Sequence, residues 1–105
     1  NTEEHLTNTI HKNIPTIVNY FSSTCPHCQA FHPTWDKFKN VVSTKNIKTI
    51  DIQCDAEENY EICRKNNIMG YPTVMLYVGN KNIEFEDSRS VSNLVSFCQK
   101  YIKNL

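Results

Sequence analysis

An apolar, β-prone run, Thr16-Ile17-Val18-Asn19-Tyr20-Phe21, leads through Ser22-Ser23-Thr24 into Cys25-Pro26-His27-Cys28. A helical pattern leaves that motif: Cys28, Phe31, Trp35, Phe38 and Val42 recur at alternating spacings of three and four. The two cysteines therefore sit where a buried strand ends and a helix begins. The first lies near the helix N-terminus, where unpaired N–H groups and the helix dipole favour thiolate over thiol. Pro26 suits the first helical position, because its missing N–H is no loss there. His27, when protonated, places a positive charge beside Cys25 and is expected to lower its pKa further. A C-x-x-C motif in this setting is expected to be redox-active.

The rest of the composition sets bounds. At 105 residues the chain is one domain, residues 1–105, with a single core. Eleven basic and eleven acidic residues cancel, so nothing points to nucleic acid or an anionic membrane surface. No apolar run approaches a membrane span. The chain opens on Asn1 without a signal-peptide pattern, which reads as a domain excised from a longer or signal-bearing precursor. Five cysteines are many for this length, and the odd count leaves at least one thiol free or bonded to another chain. Such usage fits an oxidising compartment.

In chain order, Thr2 to about Lys12 reads as a helix with Glu3 and Glu4 in its first turn. Leu6, Ile10 and Ile14 are expected to face inward, with Pro15 as the stop. Strand one is expected from Thr16 to about Ser22. The next helix is expected to run to about Thr44, kinked at Pro33. Ile47–Gln53 alternates as a strand. Ala56–Asn66 reads as a polar helix with Tyr60 and Cys63 on one face. Thr73–Val78 and Ile83–Glu86 read as a hairpin through Gly79-Asn80-Lys81-Asn82. A last helix is expected from Val91 to Asn104, with Val91, Leu94, Val95, Cys98, Tyr101, Ile102 and Leu105 as its apolar stripe. This order implies an α/β domain: a mixed sheet with helices on both faces and the hairpin as an antiparallel edge.

The segment Cys25–Phe38 resembles the active-site helix of protein disulfide isomerase-type thioredoxin domains, and Gly70-Tyr71-Pro72-Thr73 resembles their second signature. Cys54-Asp55-Ala56-Glu57-Glu58 through Cys63-Arg64-Lys65 to Thr73-Val74 is similar to the first thioredoxin domain of quiescin–sulfhydryl oxidases, the closest pattern. The resemblance runs from about Pro15 to Ile102 and implies the thioredoxin fold. It implies Cys25 as the nucleophile that forms or receives a mixed disulfide and Cys28 as the buried resolving thiol. It implies Pro72 as a cis-proline facing them, with the main chain of Tyr71 pairing with an extended substrate. Arg89 stands where isomerase-type domains place a loop arginine that eases deprotonation of the second cysteine; an exposed salt-bridging arginine is the other reading. A structural disulfide Cys54–Cys63 is implied by the matching spacing, the alternative being two small buried hydrophobes.

Departures from the family are also legible. A buried carboxylate usually stands six residues before the first cysteine, where this chain has Asn19. A lysine is common where it has Gln53. Neither amide can accept a proton, so exchange steps that need the Cys28 thiolate are expected to be slow. Thr24 replaces an aromatic residue before the motif. Cys98, on the last apolar stripe, reads as a buried free thiol, with an intermolecular disulfide as the alternative. A four-sulfur zinc site from Cys25, Cys28, Cys54 and Cys63 is disfavoured, so no metal is expected. His5 and His11 read as surface residues. His32, one turn beyond Cys28, reads as a surface residue beside the motif, with substrate contact or tuning of Cys28 left open.

Taken together, these features lead us to expect a thiol–disulfide oxidoreductase exchanging a Cys25–Cys28 disulfide with protein client cysteines, in the oxidase or isomerase direction. No cofactor is expected. Glutathione, a flavin sulfhydryl oxidase or a reductase would recycle it, and a monomer is expected. The endoplasmic reticulum lumen or the cell exterior is the expected compartment, with a virion also open. Two other readings stand beside this one: an electron-relay domain of a larger sulfhydryl oxidase, and a chaperone-like client-binding module with little catalysis.

Overall fold

The computed structural model describes residues 2–11 and 13–105, and of residues 10 and 11 the main chain alone. Expectations for Lys12 and for the side chains of Ile10 and His11 lie outside the described residues. Thr16–Phe21 forms the first strand, β1, and its side chains from Thr16 to Tyr20 are buried on both faces. That explains the unbroken apolar run: a strand covered on both sides has no polar face to offer. β2, Lys48–Gln53, pairs with it in parallel, Thr16 opposite Lys48 and Phe21 opposite Gln53. β3, Thr73–Val78, pairs with its other edge antiparallel, and β4, Lys81–Glu84, pairs with β3. The strand order is β2-β1-β3-β4. The hairpin turn is tighter than expected, the two residues Gly79-Asn80. Gly79, at φ 58°, supplies the left-handed conformation that the first position of such a turn demands.

Alternation along the strands divides the core in two. Ile17, Val74 and Leu76 face one side with Phe31, Trp35, Phe38, Val42, Phe85, Leu94, Cys98 and Ile102. Val18, Tyr20, Ile50, Ile52 and Tyr77 face the other with Leu6, Cys54, Ile62 and Cys63. The first face is covered by α2, Pro26–Val42, and α4, Val91–Tyr101. α4 stops earlier than expected because Ile102 turns to an extended conformation at φ −122°, ψ 121°. The second face meets α1, Thr2–His11, and α3, Tyr60–Lys65. Inside that second layer the Tyr20 hydroxyl lies 2.6 Å from the Tyr77 hydroxyl, which donates at 2.9 Å to Asn66 Oδ1. Tyr20 is therefore the donor to Tyr77, and burial together with that bond holds its phenol protonated.

α2 runs through Pro33, which sits on the exposed side of the helix. Its buried stripe is Cys28, Phe31, Trp35, Phe38 and Val42. Trp35 stacks on Phe38 at 5.3 Å, and its indole N–H donates to Asp51 Oδ1 at 2.5 Å. Asp51 Oδ2 also takes Lys39 at 2.8 Å, so one carboxylate on β2 ties down the middle of α2.

The single polar helix expected over Ala56–Asn66 is a 3₁₀ turn, Glu57–Asn59, followed by the short α3. Tyr60 does not share the inward face with Cys63: it is 57% exposed, and Ile62 and Cys63 are buried instead. α3 ends on Asn67 at φ 56°, with Ile68 N–H bonded to the Cys63 carbonyl and Asn67 N–H to the Arg64 carbonyl. This left-handed cap turns the chain toward residues 69–72. Cys54 and Cys63 are joined in a disulfide, Cα–Cα 5.9 Å, which staples α3 to the end of β2. Closing so short a loop is worth about 2–3 kcal/mol in the chain-entropy account. The Cys54→Ala, Cys63→Ala double variant is expected to lose about that much unfolding free energy in a urea titration. An unmoved midpoint would remove the stapling role.

Candidate active site

β1 and β2 end on the same side of the sheet, and β3 begins there, since Tyr20 lies opposite Thr73. Pro72, the residue before β3, is thereby placed beside the segment that carries β1 into α2. Residues 21 to 28, 53 to 55 and 70 to 72 thus converge at one edge, although they are remote in sequence.

Cys25 is the N-cap of α2, at φ −85° and ψ 118°. Pro26 takes the first helical position, as its missing N–H allows. The Cys25 sulfur accepts the Cys28 N–H at 3.3 Å and lies 3.5 Å from the Tyr71 carbonyl oxygen. The Tyr71–Pro72 peptide is cis; Pro72 is buried and Tyr71 is exposed. Cys25 is partly exposed and Cys28 is buried, both as free thiols.

The environment separates the two thiols. A hydrogen bond from the Cys28 thiol lowers the Cys25 pKa, helped by the backbone N–H groups of Cys28 and His27 and the Arg89 charge, against some desolvation. Burial, reinforced by that same hydrogen bond, pushes Cys28 up to about 11; the Ser22 main chain and Arg89 act the other way. The main-chain N–H of His27 and the guanidinium of Arg89 are thus both among the groups that lower Cys25. Arg89 is exposed and, among the described residues, makes no ion pair. Its charge acts on both sulfurs, as the last of the influences on each.

Arg89 also lines clefts on both sides of Pro72. One, of about 580 Å³, runs past Val74, Glu84 and Asp87; the other, of about 350 Å³, runs past Tyr71 and Met69. Met69 is 93% exposed, so the rim around the cis-proline offers apolar surface to solvent.

Sequence reasoning missed the anchor of the approach loop. Asp55 Oδ1 accepts the Ser23 N–H at 3.0 Å, and its other oxygen takes the Ser23 hydroxyl. These bonds hold the Asp55 carboxyl below its ordinary range. Nothing in the sequence links positions 23 and 55, which meet because β1 and β2 end together. The Gln53 side chain adds the smallest of these influences on the same carboxylate.

Asn19 is 4% exposed and lies on the face of β1 that carries Ile17. Its Oδ1 is buried with no hydrogen-bond partner among the described residues. His32 is exposed, contacts Asp36 at 3.5 Å and shares a cleft with Cys28. His5 is exposed. Cys98 is a fully buried free thiol, pushed by burial up to about 12. The four-sulfur zinc alternative would need Cys54 and Cys63, whose sulfurs are spent in their disulfide.

Known proteins resemble this chain in sequence and in fold. The chain is 30% identical over 97 residues to protein disulfide-isomerase 2-3 of Arabidopsis thaliana, covering 91% of this chain and 21% of that protein. It is 41% identical over 64 residues to sulfhydryl oxidase 1 of Mus musculus, covering 57% of this chain and 8% of that protein. The chain thus spans about a fifth of the length of the first curated relatives it matches. Its fold superposes on the J-Trx1 fragment of ERdj5 with a TM-score of 0.87 at 20% identity, covering 97% of this chain and 48% of that one. A sequence profile described as thioredoxin matches residues 1–100, and with the sheet order and helix placement above this makes the chain a member of the thioredoxin family.

Proposed function

We propose that this domain exchanges a Cys25–Cys28 disulfide with the cysteines of protein clients, in the oxidase or isomerase direction. One observation carries the reading: an accessible, acidified Cys25 stands beside a buried Cys28 that holds its proton, with the Tyr71 carbonyl 3.5 Å from the Cys25 sulfur. Thiolate is the nucleophile in exchange, and the sulfur with the lower pKa is also the better leaving group. In the oxidising direction a client thiolate attacks Cys25 of the disulfide, and Cys28 leaves and is protonated. A second client thiolate then attacks the client sulfur of the mixed disulfide, forming the client disulfide and freeing Cys25 as thiolate. In reverse, Cys25 attacks a client disulfide and Cys28 resolves the complex. Tyr71 and Pro72 form the wall along which an extended client segment lies, its main chain meeting that of Tyr71.

The likeness to a protein disulfide-isomerase and the Cys54–Cys63 disulfide both support work in an oxidising compartment, the endoplasmic reticulum lumen or the cell exterior. The matched relatives include animal, plant and fungal proteins and lend a virion no support. Glutathione or a sulfhydryl oxidase would recycle the pair, and no cofactor enters the scheme. The 41% likeness to a segment of a sulfhydryl oxidase favours a second reading, an electron-relay domain of a larger oxidase.

The test is the equilibrium potential of the Cys25–Cys28 pair in a glutathione titration read by alkylation and intact mass. Because the acidified Cys25 stabilises the dithiol, a value of roughly −120 to −200 mV is expected. A value near roughly −270 mV would make the domain a reductase and overturn the direction proposed. The relay reading predicts the same potential but weak client refolding, with fast exchange reserved for one partner domain.

A further inference from the structure

The resolving step needs Cys28 as a thiolate, yet Cys28 is 7% exposed and its proton must reach solvent by some route. The buried side offers none. Asn19 carries an amide that cannot take up a proton, and its unpartnered Oδ1 can only accept a hydrogen bond. Gln53 is an amide too, and takes up no proton either. The other side is different. Cys28, His32 and Asp36 stand at successive spacings of four on α2, and so lie one turn above another on the same face. His32 and Cys28 line one cleft of about 170 Å³ with Phe21, Ser22, Ser23 and Gln29. Such a cleft has room for several waters. Ser22, whose main chain acts on the Cys28 thiol, lines the same cleft.

The charges around the cleft leave one candidate. Asp36 holds His32 Nε2 at 3.5 Å and Lys39 at 3.5 Å on the same helix. Arg89 bears on Cys28 from the loop before α4, and Cys25 from the start of α2. Asp55, behind Ser23, is fixed as a carboxylate by its bonds to that residue. Of the side chains lining the cleft besides Cys28 itself, only an imidazole takes up and releases a proton near neutral pH.

We propose that His32, oriented by Asp36, relays the Cys28 proton to and from solvent through the cleft the two residues share. In resolution, the Cys28 thiol gives its proton through water to the His32 imidazole. The Cys28 thiolate attacks the Cys25 sulfur of the mixed disulfide, the Cys25–Cys28 bond forms, and the Cys25–client bond breaks. The client cysteine leaves with the electron pair and is protonated; the Cys25–Cys28 pair is oxidised and the client sulfur reduced. In the oxidising direction the imidazolium returns the proton to Cys28 as it leaves. The inference rests on the reading of Cys25–Cys28 as an exchanging pair.

The test uses reduced protein mixed with dithiobis-nitrobenzoate. Attack by Cys25 releases one nitrothiobenzoate, and attack by Cys28 releases the second. Cys54 and Cys63 are bonded and Cys98 is buried, so they stay silent. In His32→Ala and His32→Gln the first phase is expected to be unchanged. The second is expected to slow by about tenfold or more at neutral pH. The inflection of that phase in the imidazole range, present in the wild type, is expected to vanish, and free imidazole is expected to restore His32→Ala. His32 is exposed, so both variants are expected to fold. An unchanged second phase would overturn the relay, with Cys28 losing its proton directly to water. So would a slowed phase that keeps its inflection or ignores imidazole. A wild type without two phases would instead overturn the exchanging pair itself, and the relay with it.

Discussion

Cys25→Ser is expected to lose about three orders of magnitude or more in client exchange, because a hydroxyl near neutral pH has almost no anionic form to attack a disulfide. The site is built around this one sulfur. It caps α2, accepts the Cys28 N–H at 3.3 Å and is acidified by the Cys28 thiol before any other group. Client reduction and refolding rates would check the prediction, and activity retained in the variant would favour a client-binding module instead. The pH dependence has a definite sign. Cys25 ionises below the ordinary cysteine range, so its alkylation by iodoacetamide rises with pH until that point and then levels. Cys28, pushed up to about 11, stays protonated through this range and lags behind. Cys28→Ser is expected to keep the first attack and accumulate the client mixed disulfide.

Trp35→Ala is expected to be the most damaging single core change, costing about 3–5 kcal/mol. The ring is fully buried between Phe31 and Phe38, and no neighbour is free to fill the space it leaves. The variant also frees Asp51 Oδ1 from the indole N–H, leaving the carboxylate to Lys39 alone. A domain of this size has a total stability of about 5–15 kcal/mol, so much of it would go. At about 4–8 °C per kcal/mol, the melting temperature is expected to fall by well over 10 °C. Thermal melts followed by circular dichroism would check this, with Trp35→Phe as the milder comparison. A melt like the wild type would mean that α2 is not anchored through Trp35.

Much of the fold was legible because local pattern and burial agree. The two-sided apolar run of β1 and the three-four stripe of α2 leave one way to bury both. The misreadings fall where local pattern is weak. Tyr60 looks apolar on a helical wheel but sits in the first turn of α3, where the disulfide and the 3₁₀ turn before it set the facing. Ile102 continues the α4 stripe into the core although the helix has ended. The site divides in the same way. Cys25, Cys28, Pro72 and the Cys54–Cys63 pair were readable from spacing and family pattern.

The sequence by itself determined which groups can do chemistry here: two cysteines at a helix start, an amide where a carboxylate is usual, an imidazole four residues past Cys28. Tertiary structure decided what those groups meet. Strand pairing brings Pro72 and Tyr71 to Cys25, and Asp55 to Ser23, across separations of 46 and 32 residues. It also buries the Asn19 Oδ1 with no hydrogen-bond partner among the described residues and gives Cys28 and His32 a common cleft. The physical reason is that acidity and reactivity depend on burial and on neighbouring charges and donors. Those neighbours are fixed by sheet register, which a one-dimensional pattern does not specify.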